Sequence, residues 1–287
     1  MIIVGYEGIT LQKIILLLFV ILFVSGCGYV VPTLKQRQST LQSLVADKNL
    51  TIETIKTKKF NLFSVRTSIS TCRGAIVNLY IEGDGLSWET PTVISNNPTP
   101  INPLGLKLFL QDNHKCKVYL ARPCQYISSS MCSPKYWTSH RFSSDVIKSF
   151  KEALDKIKKD SNSLGFNLFG YSGGGAVATI LTAKRSDILT LVTIAGNLNI
   201  EYWANKHHIT PLYGSLNPAN FSEKLNKIHQ IHLIGSKDYI VDIGVFKSYI
   251  KKFKDKRQIS YKIFKSYDHH GCWEKNWKHI LKDMINK

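Results

Sequence analysis

The chain has 287 residues, 44% of them hydrophobic and 11% aromatic, enough apolar mass for the core of one large α/β domain and enough to exclude a disordered chain. Its 38 Lys and Arg against 20 Asp and Glu give a net charge of +18, which favours anionic membrane surfaces, acidic polymers or nucleic acid. The basic residues are dispersed among apolar periodic ones, as in KTKK (56–59), KIKK (156–159) and KKFKDKR (251–257), with no zinc-finger, RRM-like or basic-helix pattern. They read as solvated lysine faces and not as a nucleic-acid groove.

In chain order, Lys13 precedes the eleven-residue apolar run IILLLFVILFV, which ends at Ser25-Gly26-Cys27. The run is short for a membrane span, which needs about 20 residues, and suits the core of a secretory signal. Small residues before Cys27 resemble a bacterial lipobox, Val24-Ser25-Gly26-Cys27, so residues 1–26 are expected to be a lipoprotein-type signal peptide and Cys27 the lipidated first mature residue. Residues 27–50, with Leu34, Leu41, Leu44 and Val45 at helical spacing, read as a tether with a short helix. Residues 51–287 would then form the globular domain.

Export into an oxidising compartment permits disulfides. Of the five remaining cysteines, Cys124 and Cys132 bracket a polar loop and are the first candidates for a bridge. Cys72 and Cys116 each precede a strand-like run and would meet if those strands are parallel neighbours. No CxxC pair or close Cys/His ladder suggests a metal.

Strand-like runs fall near 51–57, 60–67, 74–81, 117–121, 166–170, 189–194, 230–235 and 259–264, with helical patterns at 144–160, 176–185, 241–254 and 273–286. Early strands without helices, followed by alternating strands and helices, predict a mostly parallel central sheet of about eight strands covered on both faces.

FNLFGYSGGGAV (166–177) reads as a buried strand, a turn of small residues and a helix. That geometry lifts Ser172 above the carboxyl end of the sheet and aims the Gly173 amide at a developing oxyanion. It has the G-x-S-x-G form of a nucleophile elbow, and no lysine follows the glycines as a phosphate loop would require. Downstream, IHLIGSKDYIV ends a strand with Asp238 in the next loop, and KIFKSYDHHGCW ends another with His269 and His270. Serine needs an imidazole to take its proton, and the imidazole needs a carboxylate to orient it and stabilise its cation. Asp242 competes with Asp238 for the acid's place, and His270 is the alternate base to His269.

Taken together, YIEGDGLSW (80–88), NPTPINPLGLKL (97–108), YLARPCQY (119–126), YWTSHRFS (136–143), FGYSGGGAVA (169–178), TIAGNLN (193–199), TPLYGSLNPA (210–219) and YDHHGCW (267–273) make residues 60–280 resemble the α/β-hydrolases of bacterial exported or lipoprotein type. The resemblance implies an α/β-hydrolase fold with a small lid near 200–227, and a Ser172–His269–Asp238 triad acting on an ester, thioester or amide. It also implies a position in the cell envelope, an acyl-containing small-molecule or lipid substrate, no cofactor and no nucleic-acid partner. The EGDG turn stands where relatives supply the second oxyanion amide, here that of Asp84, which brings two carboxylates close to an oxyanion. Gly271 replaces a cysteine of the family pattern, leaving Cys272 as the odd thiol, and Asn199 stands where an aspartate is usual. Trp203, Leu212 and Tyr213 in the lid are candidate pocket residues, while His207 and His208 read as surface. The alternative from another class is a non-catalytic envelope binding protein on the same fold, docking to acidic lipid or polysaccharide.

Overall fold

The computed structural model describes residues 30–285, so the signal segment and Cys27 lie outside the described residues. Thr33 begins one compact unit. Helix α1 (Leu34–Val45) opens it with a capping box, the Thr33 hydroxyl accepting from the Gln36 amide and the Gln36 side chain from the Thr33 amide. Leu41 and Val45 bury in the same cluster as Leu104, Phe109, Trp273 and Trp277. The short helix expected within residues 27–50 is α1, and it packs on the domain.

Eight strands form one sheet in the order β1-β2-β4-β3-β5-β6-β7-β8. They are β1 (Thr51–Lys56), β2 (Asn61–Arg66), β3 (Ile76–Ile81), β4 (Lys117–Leu120), β5 (Gly165–Tyr171), β6 (Ile188–Ile194), β7 (His229–Gly235) and β8 (Ile259–Phe264). β1 and β2 pair antiparallel, as do β2 and β4, and every pair from β4 to β8 is parallel. Continuous apolar runs such as IVNLYI and GFNLFGY are buried on both faces, as central parallel strands must be. The edge strands carry lysines and exposed positions instead, which blunts edge-to-edge pairing.

Helices α3 (Ser144–Ser161) and α4 (Gly173–Lys184) cover one face. α1, α2 (Leu104–Gln111) and α8 (Trp273–Ile280) cover the other, and a π-helical turn over Leu281–Ile285 closes the described chain. α2 corrects the expectation of early strands without helices. Leu104, Gly105, Leu106, Leu108 and Phe109 are buried and only Lys107, Leu110 and Gln111 are partly exposed, so LGLKLFLQ is short, mostly apolar and carries one charge to mark its outer face. Segment 200–227 contains α5 (Ile200–Lys206), a 3-10 turn (Pro218–Phe221) and α6 (Ser222–Leu225), and α7 (Ile243–Ile250) follows β7. Among the described residues, no helix is long and apolar enough to cross a membrane.

Both expected disulfides are present, Cys72–Cys116 and Cys124–Cys132, and Cys272 is exposed and unpaired. The first follows from topology, since Cys72 and Cys116 lie just before the parallel neighbours β3 and β4. It spans 44 residues and the second only 8. Loop-closure entropy then predicts that Cys72→Ser/Cys116→Ser loses about 4 kcal/mol and Cys124→Ser/Cys132→Ser about 2.5 kcal/mol. Urea unfolding midpoints of the two variants check the order, and an equal or reversed effect would count against it.

Candidate active site

β5 turns into α4 at one residue. Ser172 has φ 51° and ψ −118°, a conformation that non-glycine residues adopt only where surrounding structure imposes it. The turn is pinned from both sides: the Ser172 amide donates to the Ile194 carbonyl at 2.9 Å, and the Ser172 carbonyl accepts from the Gly175 and Asn197 amides at 2.9 and 3.1 Å. α4 enters directly under β3, where a side chain at Gly174 would run into the carbonyls of Ile81 and Glu82, and one at Gly175 into the Gly196 backbone. The extra glycines serve as packing space and not as a phosphate cradle.

The three residues expected from the sequence converge there. The His269 ring lies with Nδ1 2.8 Å from Asp238 Oδ2 and Nε2 2.9 Å from Ser172 Oγ. A carboxylate can only accept, so Nδ1 carries the proton and Nε2 is left to accept from the serine hydroxyl. The other oxygen, Asp238 Oδ1, accepts from the amides of Ile240 (2.9 Å) and Val241 (2.8 Å), which fixes the carboxylate plane with its side chain fully buried. Asp242 lies outside this arrangement. It caps α7, accepting from the Gly244 and Val245 amides at 2.8 and 3.3 Å.

His270 also lies outside it. The Tyr171 hydroxyl donates to the His269 carbonyl at 3.1 Å and accepts from His270 Nδ1 at 2.8 Å, so the second histidine anchors the loop that carries the first. Trp273, fully buried, donates from Nε1 to the Asp268 carbonyl at 2.9 Å and holds the same loop from the other end.

Two amides beside the serine turn, those of Gly173 at the start of α4 and of Asp84, have no protein acceptor among the described residues. A side chain on Gly83 would lie 3.4 Å from the Ser172 Cβ, so the EGDG loop rests directly on the turn. Its two carboxylates both find partners. Glu82 turns inward and accepts four hydrogen bonds, from the amides of Gly83 (3.0 Å), Gly105 (3.0 Å) and Leu106 (3.2 Å) and from the Tyr119 hydroxyl (3.0 Å). Burial raises its pKa against the pull of those donors. Asp84 is held between Arg122 Nη1 at 2.9 Å and Arg141 Nη1 at 2.8 Å. Burial alone would raise its pKa, but Arg141 and Arg122 outweigh that and keep the carboxyl below its ordinary value.

Among solved structures, the likeness is broad in shape and low in sequence. An esterase from Pyrococcus furiosus is 13% identical with TM-score 0.61, covering 90% of this chain and 96% of its own. An alpha-beta serine hydrolase homologue from Coxiella burnetii is 10% identical with TM-score 0.57, covering 82% and 96%. Est1E from Butyrivibrio proteoclasticus is 12% identical with TM-score 0.55, covering 82% and 99%. The fold is that of the α/β-hydrolases. No protein-family model matches the chain, and no curated protein sequence matches it.

On this hydrolase fold the remaining expected residues have clear positions. Leu212 belongs to the main core cluster and Tyr213 is 83% exposed. Trp203 donates from Nε1 to the Ile240 carbonyl at 2.7 Å, and His207 Nε2 donates to the same oxygen at 2.9 Å. Asn199 caps α5 through the Tyr202 amide and bonds Asn217 and Ser248, a task its neutral side chain performs without burying a charge. Among the described residues, no three His, Cys, Asp or Glu side chains gather as a metal site.

Sequence reasoning missed Arg122 and Arg141. The available signal was charge: each is a single arginine in an otherwise apolar or uncharged stretch, YLARPCQY and YWTSHRFS, while Asp84 had no assigned partner. Arg141→Met should leave Asp84 under-neutralised beside the two amides and slow the reaction of Ser172 with a fluorophosphonate about 10- to 100-fold. Asp84→Asn/Arg141→Met should recover most of that rate, since it removes the charge and keeps the amide. A folded Arg141→Met protein reacting at the parent rate would contradict the clamp.

Proposed function

We propose that the protein is a membrane-anchored serine hydrolase that cleaves an ester, thioester or amide through an acyl-enzyme. The observation that carries the reading is the continuous chain from Asp238 Oδ2 to His269 Nδ1 (2.8 Å) and from His269 Nε2 to Ser172 Oγ (2.9 Å). In this reading Ser172 Oγ attacks the substrate carbonyl as His269 Nε2 takes its proton. Asp238 keeps the imidazole in the required tautomer and stabilises the imidazolium. The Gly173 and Asp84 amides receive the oxyanion. His269 then protonates the leaving group, and a water activated by the same nitrogen releases the acyl chain.

Two disulfides fit an extracellular or periplasmic location. With the lipobox-like Val24-Ser25-Gly26-Cys27 they support a lipid anchor at Cys27 and a place in the bacterial cell envelope.

Fluorophosphonate labelling followed by peptide mass spectrometry tests the reading. The label is expected on Ser172 and should disappear in Ser172→Ala. Hydrolysis of a short p-nitrophenyl ester should fall at least about 10⁴-fold in Ser172→Ala and His269→Ala, and by no more than about threefold in His270→Ala. Absence of both labelling and hydrolysis in folded protein would overturn the proposal, and equal losses in the two histidine variants would overturn the division of roles between them.

A further inference from the structure

The loops around Ser172 are joined into one rim. Trp137 Nε1 donates to the Ser95 carbonyl at 3.0 Å, Ser215 Oγ to the Ser139 carbonyl at 2.8 Å, and Trp203 Nε1 to the Ile240 carbonyl at 2.7 Å. The Gly214 backbone lies against the His140 ring. Arg141 ties this arc to Asp84 and places its guanidinium 5.7 Å from the Trp203 ring. These loops follow β3, β4, β6 and β7, at the carboxyl edge of the sheet where Ser172 opens.

The rim carries several large apolar side chains at exposed points. Tyr213 and Tyr239 are each 83% exposed, and Val93, Ile240, Trp88 and Ile94 range from 49% to 38%. Large exposed side chains gathered on connected loops mark an interaction surface, whereas single scattered ones need no explanation. Lys135, Lys206 and Lys237 are exposed on the same loops, on a chain of net charge +18. Aromatic and aliphatic tips with flanking lysines are the composition that seats a protein at an anionic lipid interface.

The start of the domain lies on these loops as well. From the first turns of α1, Arg37 donates to the Asn97 and Thr99 carbonyls, and Gln38 to the Tyr126 carbonyl at 3.3 Å. Cys27 precedes Thr33 by six residues, a reach of at most about 20 Å.

We propose that the rim around Ser172 docks on an anionic bilayer, and that the hydrolase takes its acyl substrate from lipid within that bilayer. The substrate half of the proposal rests on the serine-hydrolase reading above, and the docking half does not.

The test uses the full chain with vesicles of phosphatidylcholine and phosphatidylglycerol whose acyl chains carry bromine close to the headgroup. Bromine should quench the fluorescence component that Trp88→Phe removes, and quenching should weaken when phosphatidylglycerol is left out. In the same vesicles, turnover of a fluorogenic acyl lipid should fall about tenfold or more in Tyr213→Ser/Tyr239→Ser, with turnover of a water-soluble short-chain ester unchanged. Tyr213→Trp/Tyr239→Trp should restore it. An unquenched Trp88 component overturns the docking, and lipid turnover unaffected by the serine pair overturns the role of the rim in substrate capture. Failure of the hydrolase reading looks different: neither substrate is turned over, while quenching of Trp88 still decides whether the rim meets lipid.

Discussion

The site depends on one backbone conformation, the positive φ of Ser172 at the end of a buried strand. A β-region residue there would carry the chain on along the sheet, and the hydroxyl would point into a layer of side chains. Holding a serine at φ 51° is unfavourable by roughly 1–3 kcal/mol, and the neighbourhood accounts for its persistence. Hydrogen bonds from Ser172 to Ile194, and from Gly175 and Asn197 to Ser172, lock the turn to β6 and to the loop that follows it. The bare backbones of Gly174 and Gly175 let α4 approach β3 and Gly196 closely enough for those bonds to form. The turn then exposes the hydroxyl and, one residue later, an amide with no partner among the described residues.

Four carboxylates within or beside the site illustrate how surroundings divide one functional group into separate tasks. Asp238, buried with one oxygen fixed by two amides, presents the other to His269. Asp242, four residues on, is used up in capping a helix. Glu82 points away from the turn and holds the first amides of α2, so that it fastens the EGDG loop to the sheet and to a helix at once. Asp84 lies against the start of α4, and two guanidiniums offset its buried charge. Arg122 also donates to the Arg141 carbonyl, so the pair is itself tied together.

The strands were legible because central parallel strands announce themselves as short β-branched and aromatic runs, and each lies within two residues of its expected place. Ser172, Asp238 and His269 were legible for a related reason: each follows a strand end, and topology carries those ends to one edge of the sheet. What stayed hidden depended on contacts far apart in sequence. α2 is mostly buried, with only Lys107, Leu110 and Gln111 partly exposed, and is too short to show a clear helical period. Arg122 and Arg141 meet Asp84 across 38 and 57 residues. The choice of His269 over His270 is made by Tyr171, nearly a hundred residues earlier, and no local pattern records it. Leu212 and Tyr213 were equally hard to place, since an apolar or aromatic residue in a long connection can join the core, as Leu212 does, or point into solvent, as Tyr213 does.

In the proposed mechanism the Ser172 turn and the EGDG loop together form one anion-accepting site. A crystal structure of the protein after reaction with a phosphonate ester tests it most directly. The adduct is expected to carry phosphorus on Ser172 Oγ, with a phosphoryl oxygen accepting from both the Gly173 and Asp84 amides and Asp84 still held between Arg122 and Arg141. An adduct on another residue, or a phosphoryl oxygen turned away from both amides, would contradict it.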